Sequence, residues 1–350
     1  MNRLCAVIDK PLEVTVEAGP VPEPGSGEVR VDARLSAISS GTEMLVFEGR
    51  CPENLAVDDA IDSLSKGGFH YPIRYGYSSV GVVSAAGAGV DPAWVGRRVF
   101  AFHPHESHFT LPTESLIRIP DGIADDDAVF LAGMETAVNL VMDGRPVIGE
   151  TVVVLGLGVI GLLTVSLLAR FPLACLVGID QLKSRREAAM EVGAHVVGTG
   201  SGSHGDGDRR GKPEYWKDGA DLVVELTGSP VGPNLAVGWC GFSSRVVLGS
   251  WYGRDTTPLS LGGRFHRDRV RIFSSQVSTV DPAFSGRWTK DRRFAVAWQM
   301  IGAVRPSRWV SHRFSIRDAQ KAYDQIARRP EDTLGVVFEY GEGEGGSHGD

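Results

Sequence analysis

The sequence predicts a two-domain α/β protein in which a doubly wound parallel sheet is joined to a second, β-rich domain. Over the first 120 residues, short strand-like runs are separated by glycine and proline. From residue 151 onward, strand patterns alternate with helix patterns, which is typical of a parallel sheet covered by helices. The 350 residues exceed what one hydrophobic core usually supports, so two domains are expected.

The β-rich part shows alternating apolar and polar residues between turns. A segment at 50–68 interrupts it, and the centre of that segment predicts a short helix beginning near Asp58 or Asp59. A longer helix is predicted over 125–143, because three aspartates precede an apolar stretch with helical spacing. The predicted strands lie within 13–19, 28–38, 78–87, 97–102 and 114–120.

The second part alternates regularly between the two kinds of element. Helix and strand patterns return between 288 and 340. Residues 198–212 and 341–350 lack hydrophobic side chains, so we expect a surface loop and a disordered tail there. The predicted helices are VIGLLTVSLLARF and KSRREAAMEVG, and the predicted strands are TVVVLG, CLVGID, HVVG, DLVVELTG, SRVVLGSW and RIFSSQ.

Bulk composition excludes several classes of protein. The net charge of −7 argues against nucleic acid as a partner. The chain has no run of about 20 apolar residues and no apolar signal-peptide core at its N-terminus, so we expect a cytoplasmic protein without a membrane partner. Its four cysteines are scattered without a C-x-x-C pair, so neither a zinc ribbon nor disulfides are expected.

A glycine-rich turn follows the first strand of the second part. Gly156, Gly158 and Gly161 form G-x-G-x-x-G, and Val159 and Ile160 open the following helix. The first glycine permits a tight turn, the second lets a pyrophosphate approach the backbone, and the third lets the helix pack on the sheet. The helix N-terminus offers free N–H groups to phosphate, so the turn predicts a dinucleotide site.

Asp180 ends the second strand, 19 residues after Gly161. A carboxylate at this place accepts hydrogen bonds from the ribose hydroxyls and repels a 2′-phosphate, which favours NAD over NADP. Lys183, Arg185 and Arg186 follow closely. They either offset the carboxylate, which leaves NADP possible, or are ordinary charges of a helix surface.

Several segments together carry a family resemblance: SSGTE at 39–43, RYGYSSVG at 74–81, METAVNLV at 134–141, then LGLGVIG, VGID, VELTGSP, VVLGSW and SHRFSIRDAQKAYDQI. Over nearly its whole length the chain resembles the medium-chain dehydrogenase/reductase superfamily. The resemblance implies a Rossmann domain at 129–303, a GroES-like catalytic domain at 1–128 and 304–340, and a homodimer or homotetramer. The SGTE variant is similar to the branch of bacteriochlorophyllide dehydrogenase and threonine dehydrogenase-like enzymes.

The resemblance also implies which residues bind the cofactor. Two of them, in the helix that contacts the nicotinamide, are Glu135 and Thr136. The others surround the dinucleotide and are Gly156, Gly158, Val159, Ile160, Gly161, Asp180, Arg185, Thr227, Gly228, Gly249 and Ser250.

The zinc ligands of the family are missing from the similar segments. Zinc enzymes of the superfamily use a cysteine, a histidine usually followed by glutamate, and a second cysteine or an acid. Here Ser40 stands at the first position, Tyr77 and Ser78 stand at the next two, and FLAGMET near the last has no cysteine. Neutral hydroxyls are poor zinc ligands, and no cysteine lies between 90 and 120 for a structural zinc. We therefore expect no zinc.

Without a metal, hydroxyl groups have to stabilise the oxyanion and deliver the proton of a hydride transfer. The resemblance places Thr42 at the hydroxyl that contacts the substrate oxygen, and Ser40 and Tyr77 in the vacated metal site. Glu43 matches an acid near the metal that would orient Ser40 or Tyr77. Tyr77 either donates the proton or only fills space. Leu45 stands where a proton-relay histidine often lies, so that relay is broken or rerouted.

Three histidines, His103, His105 and His108, lie within AFHPHESHF. His103 is a candidate general acid. Structural or surface histidines are the first alternative, and a metal site is the second.

These residues predict a zinc-independent, NAD(P)-dependent oxidoreductase that interconverts a secondary alcohol and a ketone of a small polar molecule, with 50–68 covering the pocket. Two alternatives stay open. One is a metal-free reductase of activated C=C bonds, as in enoyl and quinone reductases. The other is a non-catalytic dinucleotide-binding protein.

Overall fold

The computed structural model describes residues 2–57, 61, 63–64, 68–200 and 218–341. Its contacts divide the chain into two compact units. The β-rich unit comprises Met1–Ala132 and Arg305–Asp350, and the parallel-sheet unit comprises Gly133–Val304. The helix expected near Asp58, most of the expected loop at 198–212 and nearly all of the expected tail lie outside the described residues.

The bounds of the regular elements are as follows. The strands are β1 (Arg3–Lys10), β2 (Glu13–Gly19), β3 (Glu28–Ile38), β4 (Ser79–Ala86), β5 (Arg98–Ala101), β6 (His108–Pro112), β7 (Leu116–Arg118), β8 (Thr151–Leu155), β9 (Cys175–Ile179), β10 (Val196–Gly198), β11 (Ala220–Glu225), β12 (Cys240–Leu248), β13 (Arg271–Ser274), β14 (Val310–Ser315) and β15 (Gly335–Glu339). The helices are α1 (Thr42–Phe47), α2 (Asp125–Ala128), α3 (Leu131–Gly144), α4 (Val159–Leu168), α5 (Lys183–Glu191), α6 (Gly232–Trp239), α7 (Lys290–Val304) and α8 (Ala319–Arg328). Among the described residues, none of the helices combines the length and the apolar character needed to cross a bilayer.

The β-rich unit is built on a mainly antiparallel sheet in the order β14-β15-β3-β4-β5-β7, with β6 also paired to β3, and a separate β1–β2 ribbon. The long strand β3 is central, because β4, β6 and β15 all pair with it. Valines and a phenylalanine from β3, β4, β5 and β6 belong to one buried hydrophobic cluster of this unit. The predicted strands 13–19 and 28–38 have the bounds seen in the structure.

The parallel-sheet unit has six strands in the order β10-β9-β8-β11-β12-β13, all parallel. In terms of the unit's own strands this order is 3-2-1-4-5-6, which is the doubly wound order of dinucleotide-binding folds. All five residues of β8 and of β9 are buried, as expected when helices cover both faces of a sheet. The predicted fold class is confirmed.

Two features of the fold differ from the sequence-based expectation. The predicted helix at 125–143 is two helices, because α2 ends at Ala128 and α3 begins at Leu131. The strands β1 and β6 and the helices α1 and α6 were not predicted. In β1 four consecutive residues are buried, so its sequence lacks the alternation that marks a half-exposed strand.

Candidate nucleotide and catalytic sites

The glycine-rich turn lies at the carboxyl end of β8 and leads into α4. Gly156 has a φ of +90°, and a Cβ there would lie 2.4 Å from the Leu226 carbonyl oxygen. A Cβ on Gly161 would lie 2.0 Å from the Gly156 carbonyl oxygen, so the helix starts directly against the turn. At Gly158, which caps α4, a Cβ would meet nothing within 4 Å. The open side of Gly158 leaves room for a phosphate at the helix N-terminus.

Asp180 binds the backbone of this turn. One carboxylate oxygen accepts a hydrogen bond from the Leu157 N–H at 2.9 Å, and the other accepts one from the Leu182 N–H at 2.9 Å. The Arg185 guanidinium lies 3.8 Å from the carboxylate, and the Arg186 side chain donates to the Asp180 carbonyl oxygen. Each carboxylate oxygen has a second lone pair, so Asp180 can hold the turn and still accept from a ribose hydroxyl.

A buried glutamate that the sequence did not single out, Glu225, organises the end of β11. One of its oxygens accepts from the N–H and the hydroxyl of Thr227, and the other accepts from the Tyr252 hydroxyl. Burial and the nearby Glu225 carboxylate raise the pKa of Tyr252, so this phenol stays protonated. The Gly228 N–H donates to the Ser250 hydroxyl at 2.9 Å. The structure therefore brings together three residues that are predicted to bind the cofactor: Thr227, Gly228 and Ser250.

Two other predicted cofactor residues, Gly249 and Glu135, are in contact with residues of the parallel-sheet unit. A Cβ at Gly249 would lie 2.6 Å from side-chain carbons of Leu140 and Leu226, so a larger residue there would require these two side chains to shift. The Glu135 carboxylate accepts from two nitrogens of Arg293, at 2.6 and 3.1 Å, and the two side chains are 3% and 0% exposed. This ion pair ties α3 to α7 and gives Glu135 a structural role, and its contact with the nicotinamide stays a prediction.

Arg293 is satisfied as completely as a buried guanidinium can be. Besides Glu135, it donates to the Asn139 side-chain oxygen at 2.5 Å and to the carbonyl oxygens of Val277 and Thr279. Burial raises the pKa of Glu135, and the attraction of Arg293 opposes that rise. The ion pair is therefore a structural brace of the parallel-sheet unit.

The residues SSGTE at 39–43, which we call the serine–threonine turn, follow β3 and include the first two residues of α1 in the β-rich unit. Glu43 is fully buried, and its carboxylate accepts from the Ser39 N–H at 2.8 Å, which closes the turn. Between these two residues, Ser40 is exposed and Thr42 is half-buried. The turn thus presents the two predicted hydroxyls outward and keeps its carboxylate inside.

Residues 74–79, which we call the tyrosine bend, precede and enter β4. Tyr75 is buried and Tyr77 is half-buried, with the two rings edge to face and their centroids 6.2 Å apart. The Ser78 hydroxyl donates to the Val129 carbonyl oxygen at 2.8 Å, and the Ser79 hydroxyl donates to the His103 carbonyl oxygen at 3.2 Å. The two serines anchor the bend, so Tyr77 is its candidate for chemistry.

His105 joins the serine–threonine turn to the tyrosine bend. Its Nε2 lies 2.8 Å from the Glu43 carboxylate, and its Nδ1 lies 2.7 Å from the Ser36 hydroxyl, which is 2.6 Å from the Tyr340 hydroxyl. The Tyr323 hydroxyl also donates to Glu43, at 3.1 Å. We call these five side chains the Glu43 network. The sequence analysis named His105 only within a histidine cluster.

His103 occupies a setting that favours the structural alternative. Its ring stacks on Phe109 with centroids 3.9 Å apart, and its Nδ1 bonds the Pro104 carbonyl oxygen at 3.1 Å. Burial lowers the pKa of His103, which favours the uncharged ring. The general-acid role of His103 stays a prediction beside the structural alternative. His108 bonds the Ser107 hydroxyl and is likewise buried.

At the three positions where the resemblance places zinc ligands, the side chains do not fit zinc. Ser40, Tyr77 and Ser78, which stand at the family's ligand positions, offer only hydroxyl groups, and that of Ser78 already donates to a carbonyl oxygen. Across the described parts of the chain, no three His, Cys, Asp or Glu side chains are grouped as metal ligands are.

The geometry defines a class: a dinucleotide-binding α/β protein with an added β-rich unit. No family model matches the chain. The starvation-sensing protein RspB of Escherichia coli K12 is 24% identical to it over 359 aligned residues, which cover 91% of this chain and 95% of RspB. D-guloside 3-dehydrogenase of the same strain is 23% identical, covering 89% of this chain and 93% of the relative.

Solved structures share the fold over the whole chain. The short chain alcohol dehydrogenase rspB from E. coli CFT073, crystallised with NADH, superposes with a TM-score of 0.75 at 21% identity, covering 97% of this chain and 99% of that one. The chain is thus similar in sequence to these two relatives and shares its fold with this alcohol dehydrogenase.

Proposed function

We propose that this chain is an NAD-dependent, zinc-independent oxidoreductase that interconverts a secondary alcohol and a ketone on a small polar molecule. The observation that carries the proposal is the glycine-rich turn, whose three glycines are placed for a dinucleotide and whose Leu157 is held by Asp180. The names of the relatives support the reaction class, since one is a dehydrogenase of a guloside, a sugar derivative rich in secondary hydroxyls.

NAD rather than NADP is favoured by the position of Asp180. Its carboxylate is bonded to two backbone N–H groups at the end of β9, where the adenosine ribose of a dinucleotide lies in this fold. A 2′-phosphate at that place would face a negative charge. Arg185 lies 3.8 Å from the carboxylate, so the preference for NAD should be measurable but finite.

Zinc independence is supported by the chemistry of the side chains. The ligand positions hold hydroxyls, and Glu135, which is the sole acid of the sequence between 129 and 141, is bonded to Arg293. Bound NAD supplies or accepts the hydride. In the reducing direction, the β-rich unit then has to hydrogen-bond the carbonyl oxygen and supply one proton. Thr42 suits the first task and Tyr77 the second, because both hydroxyls belong to half-buried residues.

The experiment is a binding and turnover panel on the purified chain. We expect tighter binding of NADH than of NADPH, and NADH oxidation with polyhydroxylated ketones. Turnover restricted to enones or quinones would favour the C=C reductase alternative. Tight NADH binding without turnover on any panel would favour the non-catalytic alternative.

We also propose a homodimer or homotetramer acting in the cytoplasm. The family resemblance supports the assembly. Light scattering of the purified protein tests the proposed assembly. A monomer at micromolar concentration would contradict it.

A further inference from the structure

His105 lies between the two segments that carry the proposed catalytic hydroxyls. On one side, its Nε2 bonds Glu43, which closes the serine–threonine turn. On the other side, a Cβ added to Gly76 would lie 2.8 Å from both Nε2 and Cδ2 of the His105 ring, so the backbone of the tyrosine bend rests on the imidazole. The backbone N–H of His105 also donates to the Tyr75 carbonyl oxygen at 3.2 Å.

The imidazole itself has no freedom to move. It is fully buried, and Phe338 packs edge to face against it with centroids 5.0 Å apart. Because Nε2 faces a carboxylate, it carries a hydrogen, and Nδ1 then accepts from the Ser36 hydroxyl. Ser36 in turn accepts from the Tyr340 hydroxyl, so with this tautomer every donor in the chain of hydrogen bonds has an acceptor.

We infer that His105 is a positioning residue for hydride transfer: through Glu43 and the backbone of Gly76 it fixes the serine–threonine turn and the tyrosine bend relative to each other. By the family resemblance, these are the segments that a zinc ion joins in the zinc enzymes. Here a buried imidazole and carboxylate join them. The inference rests on the proposed function, since it assigns the reacting hydroxyls to these two segments.

The first test compares two replacements of His105 that differ in which bond they keep. The glutamine amide of His105→Gln reaches the place of Nε2 and can still donate to Glu43, whereas the asparagine amide of His105→Asn reaches only the place of Nδ1. We expect H105N to lower kcat for ketone reduction about 100-fold with little change in KM, because a displacement of about 1 Å costs on that order. H105Q should be about ten-fold more active than H105N.

Matched measurements separate positioning from folding. His108 is a second buried histidine three residues along the chain, bonded to the Ser107 hydroxyl, so H108N should keep kcat within about two-fold. NADH affinity, which reports on the parallel-sheet unit, should be unchanged in all three variants. Thermal unfolding should remain a single cooperative transition in each variant.

A double-variant cycle provides the second test. A carboxylate can accept from Ser39, His105 and Tyr323 together, but the amide of Glu43→Gln has one accepting oxygen, so E43Q breaks part of the tie. If Glu43 and His105 act as one unit, the E43Q/H105N double variant should be no slower than the slower single variant.

Four results would overturn the inference: wild-type kcat in H105N, equal loss in H105Q and H105N, multiplicative losses in the double variant, or failure of both His105 variants to fold. The last would assign His105 to folding alone. A wild-type chain that turns over no alcohol or ketone would instead refute the proposed function, so the two failures are distinguishable.

Discussion

The glycine-rich turn presents backbone groups to its expected ligand, whereas the serine–threonine turn presents side chains. At Gly156 and Gly161, an added Cβ would lie 2.4 and 2.0 Å from backbone oxygens, so the shape of the first turn is set by the absence of side chains. The second turn is held by the Glu43 network, whose members come from β3, α1, α8 and the segments after β5 and β15. A backbone site is fixed by a local motif, but a side-chain site depends on distant residues.

Each unit also contains a buried carboxylate that the sequence assigned to chemistry, and the two differ in surroundings. Glu43 closes a turn that carries an exposed serine and a half-buried threonine. Glu135 lies between two helices and bonds a fully buried arginine. Burial alone therefore does not mark a functional acid, and what lies beside the carboxylate distinguishes the two cases.

The largest expected effect is on stability, at the brace of the parallel-sheet unit. Arg293→Met leaves Glu135 buried and unpaired, which should lower the free energy of unfolding by about 3–5 kcal/mol. Denaturant unfolding measures it. Arg292→Met is the matched control, because Arg292 is exposed, and it should change stability by less than about 1 kcal/mol. Equal stability of R293M and R292M would show that the brace is not structural.

The next effect sharpens the contrast between backbone and side-chain sites. In Gly161→Ala the new Cβ meets a carbonyl oxygen at 2.0 Å, so the backbone has to shift, and NADH affinity should fall about 100-fold. Gly158→Ala meets no atom within 4 Å and should keep the wild-type Tm, although it narrows the phosphate side. Calorimetric titration measures the NADH affinity of G161A. Unchanged affinity in G161A would mean that the turn does not bind the cofactor.

A third effect addresses the side-chain site. Tyr77→Phe removes the hydroxyl proposed as proton donor and should lower kcat about 100-fold with NADH affinity unchanged. Tyr75→Phe, two residues earlier in the same bend, serves as control and should keep kcat within about three-fold. Steady-state kinetics of ketone reduction measure both. Equal turnover by the two variants would leave Tyr77 as a space-filling residue.

A smaller effect is expected on cofactor preference. Asp180→Asn removes the negative charge near the ribose while keeping the size of the side chain, so the ratio of NADPH to NADH affinity should rise about ten-fold. Lys183→Gln alters a side chain that is 80% exposed and should shift the ratio by less than about two-fold. If D180N left the ratio unchanged, the selection of NAD would lie elsewhere.

The smallest effect is a pH dependence of stability. Burial lowers the pKa of His103 in the folded chain, so below its unfolded value of 6.5 the unfolded chain binds more protons than the folded one. Stability should therefore fall as the pH drops below 6.5 and be flat above it. His103→Phe should reduce the loss of stability between pH 6.5 and 5. A slope unchanged by H103F would assign the acid sensitivity to other groups.

The features that could be predicted depend on residues that are close together in the sequence. The glycine-rich turn, Asp180 and the alternation of strands and helices all follow from short motifs and periodicity. The side-chain contacts do not, because their partners are far apart in the chain: 62 residues separate His105 from Glu43, and 158 separate Arg293 from Glu135. One local indication existed, since Arg293 shares a helix face with the buried Ala297 and Ile301. A charge on an apolar stripe suggests a buried partner but does not identify it.

Metal analysis combined with turnover tests the central claim most directly. We expect the purified chain, after dialysis against a chelator, to contain far less than stoichiometric zinc and to reduce its ketone substrate with NADH at the undialysed rate. Stoichiometric zinc in the active protein, with activity lost on chelation and restored by zinc, would contradict it.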